Sequence, residues 1–178
     1  MDTYKINIEG LDRELRKFPV NDKLDIAAFI MFGDIEMTEV AARELLKRVP
    51  EHDVVVTAEA KGIPLCYEMA RQGCRNYVVA RKSVKVYMGN PIGVTVNSIT
   101  TKNEQKLYLG EDDVNLLNGK RVLLVDDVIS TGESLHALET LVEKQAQISL
   151  AGRQSLPKVN AKDRDDIIFL SELPLFFK

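Results

Sequence analysis

Tryptophan is absent from this chain, histidine and cysteine occur twice each, and aromatic residues make up only 6% of it. No apolar run approaches the ~20 residues that a membrane-crossing helix needs. Cys66 and Cys74 stand eight positions apart, too far for a Cys-x-x-Cys site. They are expected as two buried or half-buried thiols on or just after one helix, in a reducing compartment. Neither sign of charge dominates: 24 Lys and Arg face 27 Asp and Glu, a net charge of −3. Such a balance gives no basic field to recruit nucleic acid. The opening Met1-Asp2-Thr3-Tyr4-Lys5 lacks the charged-then-apolar layout of a signal peptide, so a cytoplasmic location is expected. With 178 residues and no repeat, linker or low-complexity tract, the chain is expected to form one domain with a sizeable core.

What is present centres on residues 121–134. Val122 to Val125 form a short apolar run without alternation, which predicts a strand buried on both faces. The run ends in two adjacent carboxylates, Asp126 and Asp127. Val128 and Ile129 lead to a small polar loop, Ser130-Thr131-Gly132-Glu133-Ser134, and Leu135–Lys144 reads as a helix. Amides at a helix start attract phosphate, and carboxylates accept hydrogen bonds from sugar hydroxyls. Ligands of α/β sheets sit at this carboxyl end of the strands. The stretch therefore predicts a phosphosugar site; the plain alternative is a βα unit whose acids only cap the strand.

Read in order, residues 1–20 carry Leu11, Leu15 and Phe18 at helical spacing and stop at Pro19. Ile26–Phe32 is apolar throughout and fits a strand or a buried segment equally. Thr38–Val49 predicts an amphipathic helix through Ala41, Leu45 and Val49, ended by Pro50. Val54–Thr57 is β-branched and predicts a strand. It is followed by Ala58-Glu59-Ala60-Lys61-Gly62 and a helix over Pro64–Gln72, with Pro near its start and Gly73 after its end. Tyr77–Ala80 predicts the next strand, ending at Arg81-Lys82. Strands and helices alternating at this spacing argue for a parallel, doubly wound sheet. Residues 82–106 then break the rhythm, an excursion long enough to be a lid, with Lys106–Leu109 as its return strand. Asn118-Gly119 turns the chain into the central strand. His52 in a turn and His136 near the phosphate loop carry no expected chemistry.

A doubly wound sheet calls for one more apolar strand near 147–157, yet residues 145–159 are polar and interrupted by Pro157. Arg153–Val159 can be encoded as AGG CAG TCC TTG CCG AAG GTT. Read two nucleotides later, the same bases give Ala-Val-Leu-Ala-Glu-Gly, an apolar strand and a turn. A local, self-correcting shift of reading frame is one account of this stretch, and the gene's own codons decide it. Ile167–Leu170 predicts the last strand.

Two acids, two variable residues and a Thr-Gly loop after a hydrophobic strand resemble the phosphoribosyl pyrophosphate (PRPP) motif of the type I phosphoribosyltransferases. Thr57–Ile63 is similar to the diphosphate loop of the adenine enzymes, Glu-Ala-Arg-Gly, with Lys61 in place of Arg; the charge is kept and the bidentate fork lost. Glu133 stands where that family often has a second small residue. The resemblance implies an α/β fold with a mostly parallel doubly wound sheet, a small hood from residues 1–36 and a flexible β-hairpin lid over 82–106. It also implies a site. Asp126 and Asp127 would be catalytic, with Val128, Ile129 and Ser130–Ser134 around the ribose and 5′-phosphate. Ala58, Glu59, Ala60, Lys61, Gly62, Arg81, Lys82 and Lys85 would surround the diphosphate. Mg²⁺ is the implied cofactor, bound mainly to ligand oxygens; PRPP and a purine base are the implied partners, with no nucleic acid or membrane. A cytoplasmic homodimer is expected.

The base is read from finer signs. Glu172-Leu-Pro-Leu-Phe and the diphosphate loop favour adenine. However, the Arg of the usual Phe-Arg-Asp is missing from Met31-Phe-Gly-Asp34. The lid acid falls on Thr100 or on nearby Glu104, and Val96–Glu104 resembles the lid of bacterial xanthine phosphoribosyltransferases. Other classes remain: a PRPP-sensing regulator on the same fold, for which no basic DNA-binding face is present, or an unrelated phosphosugar-binding protein.

Overall fold

In the computed structural model, which describes residues 2–97, 104–130, 132–145, 149–155 and 166–178, the chain opens on a hairpin where a helix was expected. Thr3–Ile8 (β1) and Leu11–Asn21 (β2) pair antiparallel around Glu9 and Gly10, both at positive φ. The spacing of four between Leu11 and Leu15 belongs to one face of a strand as much as to one face of a helix. Alternation settles it: Leu11, Arg13, Leu15 and Lys17 turn inward with Ile6 and Ile8, while Phe18 is left 47% exposed. Leu24–Ala27 (β3) and the final strand Leu175–Phe177 (β11) complete a four-stranded sheet in the order β1-β2-β3-β11. After β3 the apolar segment runs irregularly, burying Phe29 and Met31 and exposing Ile30 and Phe32.

Ile35–Leu46 (α1) begins three residues earlier than its apolar spacing predicts. Asp34 caps it, accepting a hydrogen bond from Met37 N at 3.1 Å. The second sheet contains Val54–Ala58 (β4), Tyr77–Ala80 (β5), Arg121–Asp126 (β8), Ser149–Ser155 (β9) and Ile167–Phe169 (β10). All five are parallel, in the order β10-β9-β8-β4-β5. Among the described residues, Ile63–Gln72 (α2), Glu111–Leu117 (α3) and Glu133–Gln145 (α4) are the remaining helices. The short α3 escapes sequence reading because it buries only Leu117.

Strand alternation divides the core into two halves. Val55, Leu123 and Val125 pack against α1, α2 and the first sheet. Val54, Val56, Val122 and Leu124 pack against α4 and Leu117 on the opposite face. The middle of each central strand, Val54–Val56 and Val122–Val125, is therefore apolar at every position, as a sheet covered on both sides demands, and the doubly wound expectation holds. Ile92–Asn97 (β6) and Glu104–Leu109 (β7) pair as the expected hairpin. Val94, Leu107 and Leu109 are buried in the α4 half of the core, so the base of the hairpin is part of the core. Thr100 lies outside the described residues, as does the side chain of Glu104. Strand β9 occupies the place where the sequence looked too polar, and residues 156–165, the end of that stretch, lie outside the described residues.

Candidate active site

Strands β4, β5 and β8 run parallel, so their carboxyl ends reach one edge of the sheet. Asp126 ends β8, and Asp127 follows it, 2% exposed. The Asp127 N–H donates to Asp126 Oδ1 at 2.9 Å. From the loop after β4, Lys61 Nζ donates to Asp127 Oδ2 at 3.0 Å. Gly62 closes the approach: a Cβ there would strike Thr57 Oγ1 and lie 3.1 Å from Asp126 Oδ1. Only glycine lets the two strand tips come this near.

Two carboxyls and one ammonium leave this cluster short of positive charge. Burial, and then the neighbouring Asp127 charge, push the Asp126 carboxyl up to about 8, with Lys61 opposing weakly. The Asp126 carboxyl therefore keeps its proton to a higher pH than an ordinary aspartate, whereas Asp127 is paired with Lys61.

Beside this cluster, Glu59 and Arg81 form a two-pronged pair, Nε to Oε2 at 3.2 Å and Nη2 to Oε1 at 3.3 Å. Glu59 Oε2 also accepts the Lys82 N–H at 3.0 Å, and Arg81 Nη1 donates to the Tyr87 hydroxyl at 3.0 Å. The Lys82 amide, then Arg81, hold the Glu59 carboxyl below its usual range. Lys85 Nζ donates to Ser83 Oγ at 2.8 Å. Backbone bonds in both directions tie Arg81 to Tyr108 of β7, so the tip of β5 is joined to the hairpin. The peptide bond between Glu59 and Ala60 is cis.

The third part is the turn into α4. Asp126, Val128, Ile129, Ser130, Gly132, Glu133, Ser134 and Leu135 line a cavity of about 30 Å³. Gly132 has φ +81°, a left-handed conformation that suits glycine, and the first α4 bond runs from His136 N to Gly132 O at 2.8 Å. Helix starts present amides without intrahelical partners, which suits an anion. Ile129 is buried and anchors the turn from below. Thr131 lies outside the described residues.

The predicted residues thus form two clusters, Asp126, Asp127, Lys61 and Gly62 in one and Glu59, Arg81 and Lys82 in the other, joined by the backbone of the loop from Glu59 to Lys61. Sequence reading placed Glu59 among diphosphate ligands, whereas its carboxylate faces cations. It also missed Tyr87, since a lone tyrosine in a loop gives no signal of its own. Neither histidine reaches the cluster. His52 Nδ1 lies 2.9 Å from Pro50 O, and the exposed His136 lies 3.6 Å from Glu139. Asp34, where the usual preceding Arg is missing, pairs instead with Arg13 of β2, Nε to Oδ2 at 2.6 Å. Among the described residues, no group of three or more His, Cys, Asp or Glu could hold a metal ion. Two neighbouring carboxyls fit Mg²⁺, which keeps most of its shell as water and ligand oxygens.

The family model of the phosphoribosyl transferase domain matches residues 31–151. The hypoxanthine/guanine phosphoribosyltransferase of Methanothermobacter thermautotrophicus is 32% identical over 150 residues, 79% of this chain and 74% of that protein. The adenine phosphoribosyltransferase of Thermotoga maritima is 28% identical over 151 residues, 79% of this chain and 80% of that protein. Among solved structures, adenine phosphoribosyltransferase from Thermoanaerobacter pseudethanolicus shares the fold with a TM-score of 0.70 at 20% identity, covering 89% of this chain and 95% of that one. With sheet, strand tips and family model in agreement, this chain belongs to the phosphoribosyltransferase family.

Proposed function

We propose that the protein transfers the 5-phosphoribosyl group of PRPP to a purine base, giving a nucleoside 5′-monophosphate and diphosphate. The observation that carries this reading is the meeting of three strand tips, with paired acids on one and cations on the other two. Ser130–Ser134 cradle the 5′-phosphate at the start of α4. Asp126 and Asp127 hold the ribose hydroxyls, and the negative charge of the pair favours positive charge growing at C1′. Amides of Ala58–Gly62, with Lys61, Arg81, Lys82 and Lys85, hold the diphosphate as it leaves. The β6–β7 hairpin excludes water that would otherwise capture C1′. Asp126 and Asp127 are the residues that would hold Mg²⁺, which when bound would supply further charge neutralisation for the diphosphate.

Two readings of the base follow from different observations. Relatives at 32% identity that act on hypoxanthine and guanine, and the missing Arg before Asp34, favour a 6-oxopurine. The diphosphate loop, the Glu172–Phe176 ending and the 28% identical relative favour adenine. A cytoplasmic homodimer belongs to the same proposal and is supported by the family resemblance alone; among the described residues no helix is long and apolar enough to cross a membrane. Incubating the protein with PRPP, Mg²⁺ and each of adenine, guanine, hypoxanthine and xanthine tests the reading through diphosphate release. Turnover with at least one base is expected; none with any of the four rejects it.

A further inference from the structure

Glu59 sets a puzzle within the proposed site: a carboxylate stands in the loop that is to receive a trianion. Its geometry gives the answer. Both oxygens face Arg81, at 3.2 and 3.3 Å, and one also takes the Lys82 N–H at 3.0 Å. Its own N–H donates to Ala80 O at 2.8 Å, so Glu59 is fastened to the end of β5 from both backbone and side chain. Arg81 is fixed in turn by the Tyr87 hydroxyl and by the two backbone bonds to Tyr108. The side chains of Arg81 and Glu59 are 31% and 25% accessible, so the pair is partly shielded from water yet reachable by a ligand.

We propose that Glu59 is a positioning residue: it touches no substrate, and it holds the Arg81 guanidinium and the Lys82 amide in place for diphosphate, joining the loop after β4 to the hairpin. This rests on the phosphoribosyltransferase reading. A flexible arginine loses side-chain entropy when it captures a ligand, and a prior two-pronged partner lessens that loss. The carboxylate also offsets part of the guanidinium charge, which keeps the product diphosphate from binding too tightly.

Position and charge make opposite forecasts, which separates them. Glu59→Ala releases Arg81 and is expected to weaken calorimetric binding of inorganic diphosphate with Mg²⁺ by about tenfold, the equivalent of ~1.4 kcal/mol. It should raise the KM for PRPP similarly, leaving the KM for the base and the melting temperature nearly unchanged. Glu59→Gln removes the charge and keeps only one acceptor oxygen, its amide nitrogen being unable to accept from Arg81, so the affinity should fall between those of Glu59→Ala and the wild type. In a double-mutant cycle, Glu59→Ala added to Arg81→Ala should cost clearly less than Glu59→Ala alone, the remainder being the release of the Lys82 amide. Unchanged diphosphate affinity in Glu59→Ala, or full additivity with Arg81→Ala, overturns the proposal. If the wild type binds diphosphate and the variants behave as stated, but no purine is ribosylated, the functional reading fails while the role of Glu59 stands. If the wild type binds no diphosphate, both fall.

Discussion

Strands β4 and β8 carry aspartates and cations at both of their ends, and the two ends behave oppositely. At the amino edge, Asp53 accepts from Arg121 three times, at the backbone N (2.8 Å), Nε (3.1 Å) and Nη2 (2.8 Å), and Arg121 also meets Glu51 at 2.6 Å. These partners hold the Asp53 carboxyl far below the ordinary carboxylate range. At the carboxyl edge a single lysine serves Asp126 and Asp127, and the Asp126 carboxyl is driven up instead. The amino edge is saturated and exposed, and ties two strands together. The carboxyl edge instead buries two adjacent acids, with Lys61 paired to Asp127 alone. Residue type does not separate a structural ion pair from a site; burial and charge balance do.

The largest break in that contrast should come from backbone closeness. Gly62→Ala forces the loop away from Thr57 and Asp126, and a displacement of this kind is expected to lower turnover on the order of a hundredfold. Steady-state diphosphate release measures it, with circular dichroism to confirm the fold. Lys61→Ala should raise the KM for PRPP by about tenfold, since one charge-assisted contact is lost. It should also lower the melting temperature, because Asp127 is then buried without its cation.

A smaller effect concerns pH. Asp126 titrates ordinarily near 3.8 and is held up to about 8 in the folded chain. The folded state binds this proton more tightly than the unfolded state, so its contribution to stability is full below the unfolded value and is lost as pH rises through the folded one. Between pH 5 and pH 8 the melting temperature of the wild type should therefore fall relative to that of Asp126→Asn. A constant gap between the two would remove the raised carboxyl from the account. The smallest effect belongs to the amino edge: Arg121→Ala should leave turnover unchanged and cost little stability, as exposed ion pairs do.

Much of this contrast is legible in the sequence, for physical reasons. An apolar run such as Val122–Val125 means a strand covered on both faces, and a polar Gly-containing turn after it means a helix start, so the strand and turn that carry the candidate site can be read directly. The amino-terminal hairpin could not be, because Leu11 and Leu15 fit either period and only the unseen partner strand β1 chooses between them. The role of Glu59 was hidden for a different reason: a carboxylate's partners lie across the fold, 22 positions away at Arg81, and spacing does not reveal them. Strand β9 forms where the sequence lacks an apolar run. The codons for Arg153–Val159 will show whether the alternate frame is open to this gene; codons incompatible with it remove that account.

The contrast between the two edges is tested most directly by one assay, diphosphate release from PRPP with the preferred purine, run on wild type, Asp127→Asn and Arg121→Ala together. Loss of more than about tenfold is predicted for Asp127→Asn, with Arg121→Ala at the wild-type rate. Equal rates in all three proteins, or a loss confined to Arg121→Ala, would contradict the placement of the chemistry at the carboxyl edge.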